Sequence, residues 1–385
     1  MSVGVHARTI ACENSSMKRA SWFNIVMVAA AVGCSAGSSG EGEGEPGSEG
    51  EGEAGEGEGE AGEGKGEGEA GEGEGEGGEG EGEGEGGEGE GEPSGRVPPP
   101  LPSYSHGACP TLVGGPTSST SVVTGFATGD QVRSFRLLVP SDYDGTQPYA
   151  LMFAWHWLNA SSSSFVDQGE LETAIEEYPF IIVLPDELRN ANGTKAYQFD
   201  WPFAETWGTE SELVFFDDLL ACVNESFTID RNRVYGIGVS AGGLWVSFLS
   251  TTARANHLAA VESLSGGLGS LGLGGSGWSM PYAPQPNKFP AVVLWGGDDD
   301  WLGLSFRDAS IAYRDALRAD GHFVVECVHD AGHAVPPIEP PPGQTRFSFL
   351  WEFMLDHPMS VAGGASPWRV SGMPSFAPTW CSLPP

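Results

Sequence analysis

From about residue 105 onward, short apolar runs alternate with amphipathic stretches. Residues 131–139 alternate apolar and polar side chains, the period of a half-buried strand, and predict an early strand near a sheet edge. Residues 150–155 and 180–184 are nearly uninterrupted apolar runs, as strands buried on both faces require, the second stopped by Pro185. Residues 165–178 predict a helix between them, and residues 213–223 another. A turn at Asp230, Arg231 and Asn232 leads into a strand over 233–239, and residues 243–249 can continue as a helix with an apolar face. Later strands are expected at 258–264, 290–295 and 322–328, with helices at 305–319 and 344–355. Residues 266–277 are too rich in glycine for a strand and predict a mobile flap or a long linker. The Pro-rich tail is expected to lie on the surface through Trp368, Phe376 and Trp380. Strands interleaved with helices predict one α/β domain over 105–385, with a mainly parallel central sheet flanked by helices.

The first 104 residues follow different rules. Lys18 and Arg19 precede an apolar run over 22–32 that is too short to span a bilayer and fits the core of a signal peptide. Ala31-Val32-Gly33-Cys34 resembles a bacterial lipoprotein box, so residues 1–34 are read as an export signal with Cys34 as the lipid attachment point; ordinary secretion with cleavage near Ala36 is the alternative. Residues 35–104 predict a disordered linker. Within it, residues 41–92 hold 22 Glu and one Lys among glycines, so the segment has no core-forming side chains and its charges repel. A neutral coil of that length would span roughly 40 Å, and repulsion extends it further.

Charge divides along the same boundary. The formal net charge is −35; the Glu-Gly segment carries −21 and residues 1–40 carry +2, which leaves −16 on the remainder. An acidic folded part excludes a phosphate backbone as partner, so no nucleic acid is expected, and a membrane only through the lipid anchor. Of six cysteines, Cys12 and Cys34 lie in the export segment. Cys109, Cys222, Cys327 and Cys381 remain, an even number that predicts two disulfides in an exported chain, with three pairings possible. No Cys-x-x-Cys or His-rich spacing argues for a metal site, and no cofactor is expected.

Chemistry concentrates at Gly238-Val239-Ser240-Ala241-Gly242. A serine flanked by glycines two residues away, between a strand and a helix, is the pattern of a nucleophile elbow: the serine sits at strained backbone angles and its neighbours must lack Cβ atoms. With 58 glycines in 385 residues the bare pattern is cheap, and it is the β-branched strand before it and the apolar helix after it that give it weight.

Around this elbow the chain resembles the α/β-hydrolase superfamily, and more narrowly its secreted esterases of the feruloyl esterase and polyhydroxybutyrate depolymerase type. The resemblance covers about residues 130–356. It rests on Val139-Pro140 leading to a strand that ends at His156, on Asp217-Asp218-Leu219 before Ile229-Asp230, on the elbow, on Gly297 with a following acid, and on Gly332-His333. Serine, acid and histidine in that order, one after each expected strand, imply Ser240 as nucleophile, His333 as base and an orienting aspartate. His329 is the rival base. Counting from Gly296 gives Asp299 as the acid and counting from Gly297 gives Asp300, the favoured frame. The backbone amide of Ala241 is one implied oxyanion donor. Trp157 or Leu158 supplies the other, from a loop where Trp157 replaces the glycine of relatives; His156 either belongs to that site or is a core histidine supporting the loop. Trp157, Trp201, Trp207, Trp245, Trp278 and Trp301 fall where strand ends would gather them, as stacking surfaces or as core. The implied activity is extracellular hydrolysis of a carboxylic ester, polymeric substrates included, with feruloyl or acetyl polysaccharide esters and aliphatic polyester as leading substrates. A prolyl-oligopeptidase-like peptidase and a non-catalytic surface-tethered binding module are the alternatives.

Overall fold

The computed structural model describes residues 95–204, 207–273 and 276–384. The expected export signal, Cys34 and the Glu-Gly segment lie outside the described residues. Chain order is β1 (Val122–Thr128), β2 (Gln131–Leu138), β3 (Tyr149–Trp155), α1 (Ser162–Gln168), α2 (Leu171–Glu177), β4 (Phe180–Pro185), α3 (Thr209–Ser226), β5 (Ile229–Val239) and α4 (Ala241–Leu249). It continues with β6 (Ala260–Leu264), β7 (Gly269–Leu273), β8 (Ser276–Met280), β9 (Ala291–Trp295), α5 (Phe306–Ala319), β10 (Val324–Val328), α6 (Ser348–Asp356), α7 (Trp368–Ser371) and β11 (Cys381–Ser382).

One sheet runs β1-β2-β4-β3-β5-β6-β9-β10-β11. Its centre, from β4 to β10, is parallel, whereas β1, β2 and β11 pair antiparallel at the two edges. The central strands are apolar on both faces because both faces are covered. Along β3, Leu151, Phe153 and Trp155 enter one core, with side chains of α3, α4 and α5, while Ala150, Met152 and Ala154 enter the other, with those of α1, α2 and α6. The loop bearing Ser240 therefore emerges at the carboxyl end of a strand clamped on both sides by neighbours.

Several elements differ from expectation. The single helix over 165–178 is two, because α1 ends at Gly169 and Glu170 takes a left-handed backbone, φ 54°, before α2. The glycine-rich stretch, expected to be too flexible for a strand, forms two, β7 pairing antiparallel with β8. Asp230, Arg231 and Asn232 lie within β5 as a bulge opposite β3, where the register passes from Tyr149↔Ile229 to Leu151↔Val234. The tail packs onto the domain through Trp368 as expected, and that side chain reaches the core, its indole N–H donating to Asp356. The ordered body also begins before residue 105. The Arg96 guanidinium donates to the carbonyls of Val361, Ala259 and Pro358 and to the Asn287 side-chain oxygen, so residues 95–104 are docked rather than linker. The disulfides pair Cys109 with Cys222 and Cys327 with Cys381.

Candidate active site

β5 ends inside the sheet and α4 begins one residue later, so the chain reverses within the space of Ser240. Ser240 has φ 56° and ψ −115°, outside the regions comfortable for a side-chain-bearing residue, and its amide donates to Leu264 O at 2.9 Å. The flanking glycines follow from sterics. A Cβ on Gly238 would stand 2.0 Å from Gly242 O, and one on Gly242 would stand 2.1 Å from Trp155 O. The turn projects the Ser240 hydroxyl, and α4 presents its first amides, Ala241 included, with no intrahelical acceptor.

Three side chains from three loops meet there. Ser240 Oγ is 2.9 Å from His333 Nε2, and His333 Nδ1 is 2.6 Å from Asp300 Oδ1. A carboxylate can only accept, so Nδ1 carries the ring proton and Nε2 is left to accept from the serine hydroxyl. Asp300 is fully buried, and its other oxygen accepts from the Ser265 hydroxyl at 2.8 Å and the Gly296 amide at 2.9 Å. Burial pushes its pKa up, but the hydrogen bond and charge of His333 outweigh that, with help from Gly296 and Ser265, and the carboxyl is held below its ordinary value. Phe306 stacks on the imidazole, ring centres 4.1 Å apart, and fixes its plane. A buried carboxylate, an oriented imidazole and a strained serine in one hydrogen-bonded row can deprotonate the hydroxyl as it attacks a carbonyl.

The other expected residues are placed as follows. Asp299 is exposed on the turn Gly297–Asp299, outside this row. His329 is buried, accepts the Ala331 amide on Nδ1 at 3.1 Å, and packs against Trp380 rather than reaching Ser240. His156 is wholly buried beneath the loop after β3: Nδ1 meets Trp157 O at 2.9 Å, Nε2 lies 3.3 Å from a Glu187 oxygen, and its carbonyl accepts from the Trp201 indole. It supports the loop from behind. Trp157 lines the same cleft as Ser240.

No protein-family model matches the chain. It is 32% identical over 228 residues to the probable feruloyl esterase C of Aspergillus flavus, a match covering 54% of this chain and 78% of that protein. The chain belongs to the feruloyl esterase family. It is a carboxylic ester hydrolase. Feruloyl esterase D of Neurospora crassa is 29% identical over 223 residues, covering 57% of this chain and 71% of that one. The solved structure of native pOPH superposes with a TM-score of 0.55 at 17% identity, covering 72% of this chain and 97% of that one, a likeness of fold. The α/β-hydrolase architecture expected from the sequence is the one observed.

This esterase has a cleft of about 640 Å³, counted to its open mouth, running from Ser240 and His333 between aromatic and aliphatic walls that include Trp157, Phe165, Phe347 and Trp351. Among the six tryptophans singled out in the sequence, Trp201 and Trp245 are core, Trp207 and Trp301 are exposed, and Trp157 alone lines the cleft; the side chain of Trp278 lies outside the described residues. Sequence reading missed Ser265, Phe306 and the cleft walls Phe165, Gln168 and Trp351. Ser265 follows the end of β6, beside the elbow, a position that could have drawn attention; the wall residues carry no local signature.

Proposed function

We propose that Ser240, His333 and Asp300 form the catalytic triad of an extracellular esterase acting on feruloyl-type aromatic esters. Ser240 Oγ attacks the ester carbonyl carbon while its proton passes to His333 Nε2. The tetrahedral oxyanion is held by the amides of Ala241 and Trp157. His333 then protonates the departing alcohol oxygen as the C–O bond breaks, leaving an acyl-enzyme. Water, deprotonated by the same nitrogen, attacks the acyl carbon, and the carboxylic acid leaves as Ser240 recovers its proton. Asp300 keeps the imidazole in the tautomer that both steps need.

The observation that carries this reading is the unbroken hydrogen-bonded row from Ser240 through His333 to Asp300, opening on an aromatic cleft in a chain of the feruloyl esterase family. An aromatic-walled cleft favours a planar acyl group over a short aliphatic one. Two disulfides support an oxidising, extracellular setting, and the sequence pattern at Cys34 extends that to a lipid-anchored enzyme held off the surface by its acidic tether. The test is turnover of methyl ferulate. Wild type should release ferulic acid and Ser240→Ala should be slower by about 10⁴-fold or more; a wild type that turns over neither this ester nor a short-chain ester overturns the proposal.

A further inference from the structure

The loop that carries the Trp157 amide is held at both ends by one segment, residues 186–201 between β4 and α3, and a buried carboxylate of that segment stands at each end. At the near end Glu187 faces the His156 ring at 3.3 Å and pairs outward with the exposed Arg189. At the far end Asp200, wholly buried, accepts the Asn159 amide on Oδ2 at 2.6 Å. Its Oδ1 pairs with Lys195, whose Nζ also donates to the Asn159 side-chain oxygen at 2.8 Å. Asn159 and Asp200 both have left-handed backbones, φ 61° and φ 69°, a conformation uncommon in residues with a side chain, and here two such residues are bonded to each other.

Between these ends the peptide planes are fixed through their carbonyls. Trp201, next to Asp200, donates its indole N–H to His156 O at 2.9 Å. Trp157 O accepts from His156 Nδ1 at 2.9 Å and from the Ala160 amide at 3.1 Å. A peptide unit is planar and trans, so a held carbonyl fixes the direction of the N–H across the same bond: His156 O sets the Trp157 amide, and Trp157 O sets the Leu158 amide. The loop is also set against the elbow, since a Cβ on Gly242 would stand 2.7 Å from His156 O. Packing alone does not call for a carboxylate at position 200, because an apolar side chain fills such a site without desolvating a charge.

We propose that Asp200, closed by Lys195, is a positioning residue for the oxyanion site: it locks the Asn159 end of the loop, so that the Trp157 amide keeps its direction as charge develops on the ester oxygen. This rests on the reading of Ser240 as nucleophile and the Trp157 amide as oxyanion donor. Asp200 lies behind the loop and acts only through it. Its effect falls on the transition state, where the amide meets the oxyanion, and not on binding of the acyl group in the cleft.

The test measures, on the full chain, kcat and KM for methyl ferulate and p-nitrophenyl acetate, the dissociation constant of phenylboronic acid, and the thermal midpoint. Boron takes up Ser240 Oγ as the hydroxyl proton passes to His333, and the tetrahedral adduct places an oxygen where the oxyanion forms. Asp200→Ala should lower kcat by about 10- to 100-fold with KM within about threefold, and weaken phenylboronic acid by a similar factor. Asp200→Asn, which keeps an acceptor for the Asn159 amide, should recover most of both losses. Lys195→Met, at a partly exposed position, should lower kcat and boronate affinity severalfold, and it supplies the answer if Asp200→Ala fails to fold. A kcat within about threefold of wild type in Asp200→Ala, or in Lys195→Met where the first variant does not fold, overturns the clasp, as does a loss confined to KM or the thermal midpoint. A wild type that hydrolyses neither ester and is not labelled at Ser240 by a fluorophosphonate defeats the esterase reading, and the clasp with it.

Discussion

The Gly242 α-carbon faces the carboxyl end of β3 so closely that a Cβ there would stand 2.1 Å from the Trp155 carbonyl oxygen. This contact ties the start of α4 to the strand that leads into the Trp157 loop, so the serine and its surrounding amides are set by one backbone-to-backbone approach. Nothing flexible can yield, because the obstacle is main chain.

Gly242→Ala should therefore lose activity by 10²-fold or more, with a fall in thermal midpoint, since misplacement by about 1 Å already costs that much rate. Ester turnover and thermal unfolding measured on the same preparation check this. An active, stable variant would contradict the close approach.

The two neighbouring aspartates should separate cleanly. Asp300→Asn leaves a side chain that no longer demands a proton on His333 Nδ1, and kcat should fall by about 10³- to 10⁴-fold. Asp299→Asn, on the exposed side of the turn, should stay within about twofold of wild type. Steady-state kinetics on both decide the matter; equal losses would contradict the assignment of Asp300.

The sequence could not separate that pair, and the reason is physical. Gly-x-x-Asp fits either residue in local spacing, and what distinguishes them is tertiary: the Ser265 hydroxyl and Gly296 amide converge on Asp300 alone. Buried parallel strands such as β4 and β9 were legible because burial on both faces demands unbroken apolar runs. Strand β1 was not, since its residues are mostly exposed or half-buried, and β11 is only two residues long, held by its disulfide to β10. Hairpin β7–β8 was hidden by its glycines, which lower strand propensity yet do not prevent pairing. The wall residues Gln168 and Trp351 belong to elements far apart in sequence, and no local pattern announces that they share a cleft.

Glu262 gives the stability a pH dependence. It is fully buried on β6 between Ile237 and Val292 in register, neither carboxyl oxygen has a hydrogen-bond partner, and burial raises its pKa well above the ordinary 4.5. The native chain thus retains a proton that the unfolded chain releases, so this group's contribution declines as pH rises from about 4.5 toward the folded value. Glu262→Gln should raise the thermal midpoint relative to wild type at pH 8 and change it much less at pH 4. Parallel pH profiles for the two proteins would contradict the buried neutral carboxyl.

The Cys327–Cys381 disulfide holds β11 against β10 and closes a separation of 54 residues. Replacing both cysteines by alanine should cost about 4 kcal/mol on the chain-entropy estimate. Denaturant midpoints of the double variant and of wild type with and without reductant measure it, and a midpoint unchanged in the variant would show that the tail docks without the bond.

We propose that Ser240, set at φ 56° between strand and helix, is activated by His333. Reaction with a fluorophosphonate followed by peptide mapping tests it most directly. Stoichiometric modification of Ser240 is expected, lost in His333→Ala while the fold is kept. An unmodified Ser240 in folded wild-type protein, or labelling that persists undiminished without His333, would contradict it.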